Sequence, residues 1–223
     1  MTIRSKYDLS ILGFKIWILK IHHKNWWGIY LRVSNEKMDK WDSDWEKCVK
    51  YAEAEFSSVK KSRRQRGQRN VNRIKHQATV GKFGEILVCD FLRFYGHRCT
   101  SPDFKIYSNK DKSWDSDLFV GEHRIAVKTQ DDASAYRYGQ SWVFQKGGHF
   151  GKGHYDPVME DDKSLCVFVM LDLKNKLCAV HGPYEMKQLK PFFKDPTVAS
   201  LRHTKACLYW DDIKNLQPYK IKK

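Results

Sequence analysis

The stretch WDSDLFVGEHRIAVKTQ, residues 114–130, decides how this chain is read. The pair Gly121–Glu122 divides it into two short strands, 114–120 and 123–130, joined by a two-residue turn. Side chains alternate across a strand, so Arg124, Ala126, Lys128 and Gln130 share one face. Ile125, Val127 and Thr129 share the other, which reads as the core face. The turn brings Asp117, on the first strand, toward Lys128 in the middle of the second. A strand-borne Asp and Lys joined in this way build a metal site with an ammonium beside it. The carboxylate binds a hard cation such as Mg²⁺, and the Lys orients an attacking water or stabilises charge developing on a phosphate.

Upstream, the spacing of Ile74, Ala78, Phe83, Ile86, Leu87 and Phe91 predicts a helix over 70–95, closed by Gly96. Before it lies the sharpest shift in composition. Residues 56–84 hold nine basic side chains and no acidic one: Lys60, Lys61, Arg63, Arg64, Arg66, Arg69, Arg73, Lys75 and Lys82. Surfaces usually mix signs, and so one-sided a run repels itself unless a polyanion neutralises it. Arg also suits bidentate phosphate contact. Further upstream, 14–21 and 28–33 read as a hairpin and 36–59 as a helix, with Trp41, Trp45, Cys48 and Ala52 at three- and four-residue steps. The expected organisation is therefore an N-terminal α+β extension over 1–69, gripping DNA, and a main domain over 70–223.

Downstream, strands are expected at 141–145, 164–172, 177–180 and 206–210, with a short helix at 184–189. A helix, a cluster of strands and a further helix indicate an α/β domain with a central mixed sheet. The segment KGGHFGKGH, 146–154, reads equally as a mobile loop over a phosphate backbone, with Lys146 and Lys152 as contacts, or as a plain connection.

Composition narrows the function classes. Forty-one Lys and Arg against 26 Asp and Glu leave a formal charge of +15, which points to a polyanionic partner. Aromatic residues at 14% and apolar residues at 41% exclude a disordered basic tail. The longest apolar run, 165–171, is far too short to span a bilayer. The six cysteines are scattered without a CxxC pair, which argues against structural zinc. No GxxxxGK[ST] loop is present, so no nucleotide cofactor is expected. No signal peptide is evident, so reduced thiols and a cytoplasmic setting are expected.

These residues carry a family resemblance. Asp117, an eleven-residue interval, and a strand ending in Val127–Lys128–Thr129–Gln130 resemble the PD-(D/E)XK, or restriction-endonuclease-like, nucleases. In that family an acid opens one strand of a hairpin and a (Glu/Asp)-x-Lys tripeptide lies on the next. The segment GKFGEILVCDFLRFYG, 81–96, resembles the helix that precedes this hairpin, with Glu85 as the residue facing the metal. The resemblance covers roughly residues 70–180. It implies a restriction-endonuclease-like core, Mg²⁺ (or Mn²⁺) held by Asp117, Glu85 and the Val127 carbonyl, and water or phosphate contacts from Lys128 and Gln130. The expected activity is sequence-specific cleavage of double-stranded DNA, by a homodimer of restriction or homing type. A structure-selective junction resolvase and a non-catalytic DNA-binding protein are the alternatives.

One position departs from the pattern. The tripeptide is Ala126–Val127–Lys128, so the acid expected at 126 is absent. Three explanations compete: the acid has migrated, to Glu85, Asp115 or Glu122; the scaffold only binds; or Ala has replaced a native acid at 126. The survival of Asp117, Lys128, Gln130 and Glu85 favours the third.

Overall fold

The computed structural model describes residues 2–11, 14–22, 29–32, 38–65, 70–107, 116–146 and 156–221. In chain order the elements are β1 (Thr2–Ile11), β2 (Phe14–His22), β3 (Ile29–Arg32), α1 (Met38–Gln65), α2 (Val71–Phe94), β4 (Leu118–Val120) and β5 (His123–Asp131). There follow α3 (Asp132–Tyr138), β6 (Ser141–Gln145), β7 (Leu165–Asp172), β8 (Leu177–Glu185), α4 (Met186–Leu189), β9 (Lys205–Tyr209) and α5 (Trp210–Ile213). The fold is mixed α/β. Its central sheet runs β3-β8-β7-β5-β4, with β5 and β7 parallel and the other neighbours antiparallel.

The run LCVFVML on β7 explains the architecture. A strand without polar alternation has both faces covered, and β7 does. Leu165, Val167, Val169 and Leu171 pack with Trp41 and Cys48 of α1 and with Val80, Phe83, Ile86 and Leu92 of α2. Cys166, Phe168 and Met170 point the other way, into a second core made by Trp142, Phe144 and Leu208 of the β6–β9 ribbon with residues of α4 and α5. Full burial of a side chain such as Phe83 contributes about 2–3 kcal/mol. All six cysteines are buried, where they act as small hydrophobes.

The two-sided core corrects the expectation that only Ile125, Val127 and Thr129 face the interior. Ala126 also lies in a core, the second one, because the β6–β9 ribbon covers the face that the strand pattern had assigned to polar residues.

α1 and α2 form an antiparallel pair. Lys40 reaches Asp90 at 2.6 Å and Lys75 reaches Glu53 at 3.3 Å, while Trp41 and Trp45 meet Phe83 edge-on at 4.7 and 5.3 Å between ring centroids. Because 53 lies against 75, α1 runs past the start of α2 by roughly two turns. The boundary expected at 69/70 therefore marks no break in packing. β3 is a strand of the main sheet, paired with β8, and α1 contributes to its core. The ribbon in the N-terminal region also differs from the expected one. Its ladder joins β1 to β2, whereas β3, although it lies alongside β2, pairs with β8 of the sheet.

α2 begins as the sequence indicates. Asn70 caps it, its Oδ1 accepting the Arg73 N–H at 2.9 Å, a contribution of about 1 kcal/mol. At Gly84 the helix touches β5: a Cβ there would stand 1.8 Å from Thr129 Oγ1. Only glycine lets the helix sit this close. Among the described residues no helix is long and apolar enough to cross a membrane.

Candidate active site

β4 pairs with β5 only from 123 to 125. Just past that pairing, the Val127 N–H donates to Asp117 Oδ2 at 2.8 Å, so the carboxylate takes over where the ladder stops. The turn that sets this register is the expected one, with Gly121 at φ +56°.

Around Asp117 four further charged side chains gather. From α2 come Glu85, 8% exposed, and Lys82, paired at 2.6 Å. From β5 comes Lys128, which bonds Asp156 at 2.5 Å and lies over the Phe144 ring at 4.8 Å. Asp156 immediately precedes a single 3-10 turn, Pro157–Met159. Lys82 also faces Tyr51 of α1 at 5.1 Å and Phe104 at 5.7 Å, so α1 helps to wall the site.

Three carboxylates and two ammoniums, fully ionised, leave this partly buried cluster at −1. The strain of holding that charge appears at Glu85, whose carboxyl is pushed up to about 8 by burial and then by Asp117, against the pull of Lys82. Burial also raises Asp117, although Lys128 and the Val127 N–H oppose it. Burial disfavours the charge on Lys128, but Asp156 and Asp117 outweigh it and keep the ammonium.

Glu85 therefore keeps its proton in the folded chain over a range where the unfolded chain has released it. Its stabilising contribution is complete below about 4.5 and is lost as pH rises toward about 8. Denaturant titrations of the wild type and Glu85→Gln at the two ends of that window should show the variant gaining relative to the wild type at the higher pH. Parallel behaviour would return Glu85 to the ordinary carboxylate range.

The other expected site residues are distributed as follows. Gln130 is buried, and both ends of its amide are engaged by backbone: Nε2 donates to the Gly139 carbonyl at 3.0 Å, and Oε1 accepts the Ser141 N–H at 2.8 Å. It clamps the segment after β5 and is not turned toward a substrate. Ala126 sits in apolar surroundings opposite Cys166. Lys60, Lys61, Arg63 and Arg64 fall on the last turns of α1, and Arg73 is exposed on the first turn of α2. Lys146 pairs with Asp195 at 2.8 Å. Arg66, Arg69, Asp115 and Lys152 lie outside the described residues. Glu122 is exposed in the β4–β5 turn.

Sequence reasoning missed Asp156. It lies 28 positions beyond Lys128, at the end of a Gly- and His-rich segment, and nothing in its neighbours marks it. Lys82 was counted only as part of the basic run.

Among the described residues no three His, Cys, Asp or Glu side chains converge as closely as a metal ion needs. The chemistry of the donors nevertheless suits a hard divalent cation: Asp117, half-buried, and Glu85, buried, offer carboxylate oxygens, and the charge of Asp117 helps to raise the proton affinity of Glu85. No family model, curated protein or solved structure matches the chain.

Proposed function

We propose that the chain is a metal-dependent endonuclease with a restriction-endonuclease-like core, hydrolysing phosphodiesters of double-stranded DNA. The observation that carries this reading is the gathering of Glu85, Asp117, Lys128 and Asp156 around β5. Asp156 supplies, from another element, the carboxylate that Ala126 lacks. This is a migration of the acid to a residue outside the three substitutes that the sequence suggested.

Asp117 and Glu85, with the Val127 carbonyl, would hold Mg²⁺ or Mn²⁺. Such an ion, when bound, lowers the pKa of an attacking water and neutralises charge on the phosphate. The chain's own groups do the rest. Asp156 keeps the Lys128 ammonium charged and aimed, and Lys128 orients the water or steadies the charge that develops on the phosphate. Lys82 holds Glu85 in place. The basic end of α1 and Arg73 supply phosphate contacts for the duplex, and a homodimer would present two such sites to its two strands.

Supercoiled plasmid with Mg²⁺ tests the reading, comparing the chain as it stands with Asp156→Asn and Ala126→Glu. Cleavage by the chain that is lost in Asp156→Asn supports it. An inert chain that gains activity with Ala126→Glu means that an acid at 126 has been replaced. No cleavage by any of them leaves a DNA-binding protein on a nuclease scaffold. Discrete linear fragments indicate site recognition, and cutting confined to cruciforms indicates a resolvase.

A further inference from the structure

α3 has no part in the cluster just described, yet the fold holds it firmly. At its start Asp131 accepts the Ser134 N–H at 2.8 Å and meets His76 Nε2 of α2 at 2.6 Å. At its end the Gln130 amide grips Gly139 and Ser141. Asp131 and Gln130 are both only 6% exposed. Buried polar clamps of this kind define one position for the element they hold.

What α3 presents is unusual for a surface helix. None of its residues is buried, and Tyr136 is 96% exposed, an aromatic ring left in water. Arg137 follows it in the helix. The Arg137 guanidinium lies 6.0 Å from the Tyr138 ring, and Arg137, with Arg73, holds the Tyr138 hydroxyl below the usual phenol range. Arg73 stands at the start of α2, the end of the helix pair past which α1 carries Lys60, Lys61, Arg63 and Arg64. Exposed aromatic faces set among arginines suit an unstacked nucleobase followed by its phosphates.

We propose that the outer face of α3 is a base-stacking platform, on which Tyr136 stacks against an unpaired base of a DNA strand whose phosphates run over Arg137 and Arg73. The proposal rests on the reading of the chain as a DNA-acting protein but not on its cleavage chemistry. α3 begins four residues beyond Lys128 along an extended strand, about 13 Å. That is about four nucleotides of stacked strand.

The test is binding of a labelled single-stranded oligonucleotide without divalent metal, with a duplex of the same sequence alongside. Tyr136→Ala should weaken single-strand binding roughly 5- to 150-fold, while Tyr136→Phe and Tyr136→Trp retain it. The salt dependence should be unchanged in Tyr136→Ala but shallower by about 0.7 per lost contact in Arg73→Ala and Arg137→Ala. The duplex, whose bases are already stacked, should lose little with Tyr136→Ala. Equal single-strand affinity of the wild type and Tyr136→Ala overturns the platform alone. A wild type that binds neither form of DNA overturns the platform together with the DNA reading.

Discussion

Lys128→Met is expected to lower the rate of DNA cleavage by roughly two to three orders of magnitude, the usual cost of removing one group that stabilises charge in the transition state. DNA affinity should stay nearly unchanged, since a single ammonium is a small part of a surface carrying +15. Met keeps the apolar stem that packs by Phe144 and removes only the charge. It does strand Asp156, a cost of about 1–3 kcal/mol, so the melting temperature has to be measured beside the rate. Asp117→Asn should lose activity to a similar degree. If cleavage and binding fall together by one factor, Lys128 is a phosphate anchor and the proposed chemistry is wrong.

Gly84→Ala should have the largest effect on folding. The new methyl would meet the Thr129 hydroxyl at 1.8 Å, with Thr129 Cβ and Cγ2 at 2.9 and 3.0 Å. Neither side yields easily, because Thr129 belongs to a central strand and Gly84 to the middle of a 24-residue helix. Overpacking of this kind costs about 3 kcal/mol. Glu85 and Lys82 ride on the same turn, so any shift of α2 away from β5 also opens the charged cluster. Gly84→Ala combined with Thr129→Ala removes the closest contact and should recover part of the stability, a coupling that a double-mutant cycle in denaturant would expose. Additive losses would mean that the helix does not depend on this contact.

The elements legible in the sequence were those whose local signals agree with their tertiary role. α2 has its cap residue and a helical apolar stripe, the β4–β5 hairpin has its glycine turn, and β7 has an unbroken apolar run. α3 was not foreseen because DASAYRY has no buried stripe; it is helical because Asp131 caps it and Gln130 holds its far end. The role of position 126 was also misjudged. Strand alternation gives the side of the sheet a residue faces but not what covers that side, and here the cover comes from β6 and β9, far along the chain. Of the site, Asp117, Lys128 and Glu85 could be named from spacing. Asp156 could not, because its proximity to Lys128 is purely tertiary.

The parallel pairing of β5 with β7 has a consequence for the order of assembly. Ile125 pairs with Leu165, so 40 positions separate the partners, and Asp156 lies within the span they close. Closing such a loop costs about 3 kcal/mol of chain entropy before the first ladder bond offsets it, and non-local pairings of this kind form late. The β4–β5 hairpin draws on nearer contacts. A chain still folding thus has Asp117 and Lys128 close at hand before the carboxylate that steadies Lys128 has docked. The competence of the cluster is tied to completion of the sheet, and a partly folded molecule carries its charge without its chemistry.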